Sequence, residues 1–185
     1  EYQQLPFSKD RQQHILNAIL IKSYMKAIDE TVTLTSEEER VLHDYLFSVE
    51  IWGYYELSFF SSCTPLLSVQ LLTKYTREML RKSDFLQGVG KNRNMMHTLL
   101  LNGFMACIEV DDFTNALYFK KQIEKNFFEE NETYFRIVYL WAEGLLDSKQ
   151  GRVEEGQRKM EDAIRIFEMI GCRKSADYYR SVIEC

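Results

Sequence analysis

Three histidines (His14, His43, His97) and four cysteines (Cys63, Cys107, Cys172, Cys185) are the side chains best equipped to hold a transition metal or act as a nucleophile. Their spacing denies them both roles. No histidine has a histidine or cysteine three or four residues away, the arrangement that puts two zinc ligands on one helix face. No Cys-x-x-Cys occurs, and the wide, irregular cysteine spacing is no disulfide framework. Cys107 shares an apolar helix face with Leu100, Phe104 and Ile108, where a thiol stays inert. Cys185, at the end of the chain, is expected to be exposed. The acidic pairs have local explanations. Asp111-Asp112 stops one helix and caps the next, and Glu37-Glu38-Glu39, Glu129-Glu130 and Glu154-Glu155 are solvated or helix-dipole-compensating faces. There is no phosphate-cradling GxxxxGK[ST], no GxGxxG after a strand and no GxSxG. The sequence therefore predicts no catalytic residue, no metal site and no cofactor, and the protein is not expected to be an enzyme.

The elements that would position a binding surface are helical almost throughout. The 185 residues are 45% apolar and 28% charged, which describes one globular domain over residues 1–185. Eight glycines and two prolines are too few for a turn-dense β-sandwich. The net charge of −5 argues against these residues gripping nucleic acid on their own. The first residue is Glu1, no basic-then-apolar leader follows, and no apolar run spans a bilayer. The expectation is a cytoplasmic protein, not membrane-bound, and a fragment of a longer chain.

Apolar periodicity places about nine helices. The first runs over about residues 8–29 with Ser8 as a usable cap. The second starts at a capping box, either Thr35 with Glu38 or Ser36 with Glu39. The third starts after Trp52-Gly53 and is aromatic. Thr64-Pro65 reads as the cap and first residue of the fourth. Gly88 and Gly90 mark a loop. The later helices cover about 92–110, 113–127, 133–150, 153–170 and 174–183. Ala116 and Gly156, each early in the second helix of a pair, stand 40 residues apart, a period found in tetratricopeptide-type repeats. Gly144, Gly156 and Ala163 are the small residues that let two helices approach closely. The fold expected is an all-α, right-handed, tetratricopeptide-like solenoid of helical hairpins.

In such a solenoid the first helix of each pair lines the concave side. Aligning Gly144 to the small position turns Tyr134, Val138, Trp141, Leu145 and Ser148 inward. The same phase turns Asn94, Thr98, Leu101, Asn102 and Met105 inward on the fifth helix, and Tyr54 or Tyr55, Ser58 and Ser61-Ser62 on the third. An apolar trough with a few amides and hydroxyls suits a short apolar peptide. The expected binding set is Tyr55, Ser58, Asn94, Thr98, Asn102, Met105, Tyr134, Val138 and Trp141, with Trp141 open to either pocket or core. The last helix carries Ala176, Tyr179, Val182 and Ile183 on one side with no later pair to cover them, so a homodimer through the C-terminal end is expected.

The run Tyr45-Leu46-Phe47-Ser48-Val49-Glu50-Ile51-Trp52-Gly53-Tyr54-Tyr55-Glu56-Leu57-Ser58-Phe59-Phe60 resembles the Rgg family of transcriptional regulators of Gram-positive bacteria. So does the closing stretch, from Tyr139-Leu140-Trp141-Ala142-Glu143-Gly144-Leu145-Leu146 to Phe167-Glu168-Met169-Ile170-Gly171. The resemblance spans nearly the whole chain. It implies the C-terminal repeat domain of a homodimeric quorum-sensing regulator, related to the PlcR-type receptors, that binds re-imported peptide pheromones. DNA would be bound only through an N-terminal helix-turn-helix domain absent from this sequence. The chain departs from the family pattern at Ser61-Ser62, where an amide is expected. The alternative reading is a helical-repeat adaptor with no DNA-binding half.

Overall fold

The structure is a computed structural model that describes residues 5–26, 28–82, 90–125 and 129–183. Among the described residues the regular structure is entirely helical. The helices are α1 (Leu5–Lys26), α2 (Ser36–Ser48), α3 (Tyr54–Cys63), α4 (Val69–Lys82), α5 (Gly90–Glu109), α6 (Phe113–Lys125), α7 (Thr133–Lys149), α8 (Val153–Met169) and α9 (Arg173–Ile183). The short 3-10 turn Thr64–Leu66 joins α3 to α4. The chain falls into two compact units, Glu1–Leu99 and Leu100–Cys185, whose boundary lies within α5.

In the first unit α1 packs on α2, α3 and the 3-10 turn, and α2 packs on α4. Leu16 and Ile19 of α1, Leu42 and Leu46 of α2, and Trp52, Phe60 and Met79 are buried there. Trp52 and Phe60 meet with ring centroids 5.7 Å apart. Of the two capping boxes open in the sequence, the chain forms Thr35 with Glu38. The Glu38 N–H donates to Thr35 Oγ1 at 3.3 Å, and the Thr35 N–H donates to Glu38 Oε2 at 2.7 Å. The other end of α2 is held by Lys82, whose ammonium donates to the carbonyls of Phe47 (3.2 Å) and Val49 (2.8 Å). A cation on the last carbonyls of a helix favours its dipole.

Four boundaries differ from expectation. The first helix starts at Leu5, so Ser8 lies inside it rather than capping it, and Gly90 opens α5 instead of lying in a loop. The first helix stops at Lys26, and the amides of Ile28 and Asp29 both turn back onto the Met25 carbonyl. Thr64-Pro65 starts the 3-10 turn rather than α4. Leu67 is extended (φ −97°, ψ 141°), and α4 begins only after Ser68, whose Oγ accepts from the Leu71 N–H. Proline's fixed φ suits the first residue of either helix type, so the dipeptide alone does not tell them apart. Gly88, Phe127 and Cys185 lie outside the described residues.

In the second unit α6, α7, α8 and α9 begin at residues 113, 133, 153 and 173, twenty residues apart. The turns before α6, α8 and α9 share one construction. Each has a left-handed residue, Asp111 (φ 57°), Gly151 (φ 89°) or Gly171 (φ 79°). In each the following N–H returns to the carbonyl five residues back: Asp112 to Cys107, Arg152 to Asp147, Cys172 to Phe167. This is the glycine-favouring helix stop. At Asp111 the strained residue is no glycine, and its carboxylate takes an ion pair from Lys149 at 3.0 Å. Asp112 then caps α6, its Oδ1 accepting from the Asn115 N–H at 3.2 Å.

Candidate functional site

The rotational phase of α7 is set by its contact with α8. The two helices touch backbone to backbone where Gly144 faces Gly156. A Cβ on Gly144 would lie 2.6 Å from the Gly156 carbonyl oxygen, and one on Gly156 would overlap the Gly144 carbonyl oxygen and Ser148 Oγ. Ala163, also on this side, is fully buried. The small positions singled out in the sequence are thus the ones that close this hairpin.

A buried carboxylate locks the hairpin at its turn. Asp147, only 7% exposed, accepts at Oδ1 from Arg152 Nη2 (2.6 Å) and Nε (3.2 Å), and at Oδ2 from Lys159 Nζ (2.6 Å). Burial alone would raise its pKa, but the Lys159 and Arg152 hydrogen bonds outweigh it and hold the carboxyl below its usual range. The sequence reading missed this residue. The signal was an acid in the last turn of a helix, where the dipole disfavours it, so a cation had to be near.

Asp147→Asn should cost about 1.5–3 kcal/mol at neutral pH, the range for hydrogen bonds to charged groups. The half-exposed Arg152 brings it toward the lower end. Because the folded pKa is depressed, this stability is complete above the unfolded value of about 3.9 and is lost as pH falls through the lower folded value. Urea denaturation of wild type and variant should therefore show a gap at pH 7 that narrows below about pH 4. A gap of equal size at pH 3 would mean that charge is not what Asp147 contributes.

With α7 so fixed, the expected binding stripe divides. Tyr134 is 49% exposed, whereas Val138 (3%) and Trp141 (2%) are buried. The Trp141 ring lies 5.1 Å from Tyr179 of α9, Tyr179 stacks on Phe167 at 5.6 Å, and Phe167 meets Tyr134 at 5.6 Å. For Trp141 the alternatives of pocket and core resolve to core in this conformation, because α9 lays Tyr179 against the indole. Its Nε1–H is buried with no hydrogen-bond partner among the described residues. Ala176 and Tyr179 are likewise buried within their own unit, which leaves Tyr178, Val182 and Ile183 as the exposed apolar residues of α9.

The other expected residues keep some access to solvent. On α5, Asn94 is exposed and Thr98, Asn102 and Met105 are half-buried. At spacings of three and four they share one side of the helix. Thr98 Oγ1 donates to the Asn94 carbonyl at 2.9 Å. Leu101, also expected inward, is buried. On α3, Tyr55 is 53% exposed and Ser58 half-buried. Asn94, Thr98, Tyr55 and Ser58 belong to the first unit, and Asn102, Met105, Tyr134, Val138 and Trp141 to the second.

Of the thiols, Cys63 is buried and its pKa is pushed up to about 12 by burial, which makes it a poor nucleophile. The described residues hold no cluster of three or more His, Cys, Asp or Glu side chains able to share a metal ion. Nor, among them, is any helix long and apolar enough to cross a membrane.

Over residues 2–181 the chain matches the family described as HTH-type transcriptional regulator Rgg, C-terminal domain. Among solved structures it is similar to the SHP pheromone receptor Rgg2 of Streptococcus dysgalactiae, with 28% identity and a TM-score of 0.82 over 97% of this chain and 69% of that one. A cysteine-to-serine variant of that receptor matches at 28% identity and a TM-score of 0.83, over 97% and 66% of the two chains. At 19% identity and a TM-score of 0.79, over 97% of this chain and 64% of the other, it shares its fold with a protein of Listeria monocytogenes EGD-e. The chain thus spans roughly two thirds of the length of these structures.

Proposed function

The chain belongs to the Rgg family of HTH-type transcriptional regulators, as its C-terminal domain, and we propose that it is the sensing half of such a regulator, binding a short apolar peptide pheromone in the cytoplasm. The observation that carries this reading is the similarity, along 97% of the chain, to a receptor of the SHP pheromone. The side chains support it. One side of α5 offers the amides of Asn94 and Asn102, the Thr98 hydroxyl and the Met105 thioether, a mixture that pairs with a peptide backbone and buries its side chains. Tyr55 and Ser58 in the first unit and Tyr134 in the second are also partly exposed, and Val138 and Trp141 are buried in α7. DNA contact would belong to a helix-turn-helix domain, since the −5 net charge here gives no basic stripe.

Titrating the purified chain with fluorescein-labelled apolar peptides, read by anisotropy, tests the proposal. Asn102→Ala should weaken binding by about 2- to 10-fold, the loss of one ordinary net hydrogen bond, with no change in melting temperature. If no apolar peptide binds at concentrations of about 100 µM, well above the range of specific contacts, the sensing role is wrong.

We further propose that the domain forms a homodimer through α9, using the exposed Tyr178, Val182 and Ile183. Sedimentation should give twice the monomer mass of 22.0 kDa. Val182→Glu, which puts a charge into an apolar contact, should return the monomer. A wild-type monomer at about 50 µM, above ordinary dimer dissociation constants, would remove α9 as an interface.

A further inference from the structure

The segment joining α1 to α2, residues 31–35, reads Thr-Val-Thr-Leu-Thr. Four of these five residues are β-branched, a composition that favours extended backbone. Thr31, Thr33 and Thr35 are exposed, while Val32 and Leu34 are half-buried. That alternation is the two-residue period of an extended chain, and Thr35 itself is extended (φ −76°, ψ 161°). The hydrogen bonds of the segment are only partly made. The Val32 N–H goes to the Asp29 carbonyl, the Thr33 carbonyl takes Lys22 Nζ, and the Thr35 N–H goes to Glu38. The Thr33 N–H and both the N–H and C=O of Leu34 have no partner among the described residues. A free N–H and C=O on one residue of a segment with this alternation is the pattern that an added antiparallel strand uses.

Beneath the segment lies a cavity of about 290 Å³, walled by Leu34, Leu42, Leu67, Leu71 and Tyr75. It is at the lower edge of small-molecule pocket sizes, so it has room for one large side chain. Two charged residues border it. The Lys26 ammonium is engaged by the Glu30 carbonyl at 2.6 Å, while the Glu39 carboxylate is exposed, with no ion pair or hydrogen bond among the described residues. Burial, and after it the nearby carboxylates of Asp44 and Glu39, push the Tyr75 phenol pKa upward.

We propose a second binding surface here, separate from the pheromone reading and not dependent on it. Its occupant is an extended peptide carrying a large aliphatic residue next to a positive charge. The backbone of the peptide pairs with Leu34, its aliphatic side chain fills the cavity, and its cation meets Glu39. A purely apolar small molecule would fill the cavity but leave the Leu34 amide and carbonyl unpaired, whereas an extended peptide meets both with its own backbone.

Amide NMR of the 185-residue chain, titrated with acetyl-lysyl-leucyl-threonine amide, tests this. Saturable shifts are expected at the Thr33 and Leu34 amides. Replacing the probe's leucine by alanine, N-methylating that leucine, or exchanging its lysine for glutamate should each weaken binding at least about 5-fold, one hydrogen bond or buried contact apiece. Glu39→Gln should abolish the preference for lysine over glutamate. Leu71→Trp, which fills the cavity, should abolish binding, and the unmodified chain remains the primary readout if that variant misfolds. Asn102→Ala should leave these shifts unchanged, which keeps this result apart from the pheromone titration. The proposal is overturned by unmoved Thr33 and Leu34 amides at millimolar probe, by equal affinity for lysyl and glutamyl probes, or by shifts that grow with protein concentration alone, the mark of a second copy of the chain.

Discussion

Gly156→Ala is expected to destabilise the second unit by about 2–4 kcal/mol, although alanine is the better helix former. Within a helix the exchange gains about 1 kcal/mol in intrinsic propensity. Against that gain stands the overlap of the new methyl with the Gly144 carbonyl oxygen and its 2.6 Å approach to the Ser148 backbone nitrogen. A flexible side chain turns away from such a clash, but backbone on a facing helix does not. Relief requires α7 and α8 to separate, which loosens the packing of Met160, Ala163 and Ile164 and strains the Asp147 clamp. Overpacking that forces backbone shifts costs typically about 1–3 kcal/mol and occasionally more; a backbone overlap belongs at or above the top of that range, about 3–5 kcal/mol before the propensity gain is subtracted. Gly90→Ala is the control, because a Cβ there meets nothing within 4 Å. It should be neutral or mildly stabilising. Urea denaturation followed by circular dichroism distinguishes the two, and a Gly156→Ala protein as stable as wild type would show that the helices do not touch where the glycines face.

Trp141→Ala is expected to cost about 3–5 kcal/mol, the usual result of truncating a buried aromatic residue. The indole is among the largest fully buried side chains and rests on Tyr179. Its loss would leave a void among Phe167, Tyr179 and the core of α7. Trp141→Phe should be far milder, below about 1.5 kcal/mol, since it keeps most of the volume and removes a buried donor that has no partner among the described residues. The thermal midpoints of the two variants check this. If Trp141→Ala instead melts like wild type and only loses peptide affinity, the indole serves the ligand and not the fold. The pair of variants thus weighs packing against recognition at the residue where the sequence left both open.

Much of the helical plan was legible because local chemistry marks helix ends. Thr35 with Glu38, Asp111-Asp112, Gly151 and Gly171 all act where their types predict. The closeness of α7 to α8 was legible too, since only small residues at 144, 156 and 163 permit it. The start of α4 was not, because Thr64-Pro65 is as good a start for a 3-10 turn as for an α-helix. The candidate site was less legible than the fold. Helical periodicity shows that Tyr134, Val138 and Trp141 share a side of α7, but not what covers that side. Tyr179 does so from 38 residues beyond Trp141, and no local pattern encodes a contact at that separation.

The twenty-residue spacing of α6 to α9 bears on how this half of the chain tolerates changes of length. Each α-helical residue advances the backbone by about 100°. One residue deleted from α8 would therefore swing Met160, Ala163 and Phe167 away from the partners that Gly156 meets correctly. The left-handed turns give no slack, because their return hydrogen bond spans a set five residues. Natural variants of this half should consequently differ by substitution, and gain or lose length only as whole helix pairs of forty residues, as duplication or unequal exchange would produce. Single-residue gaps within α7 or α8 of a functional relative would be the observation against it.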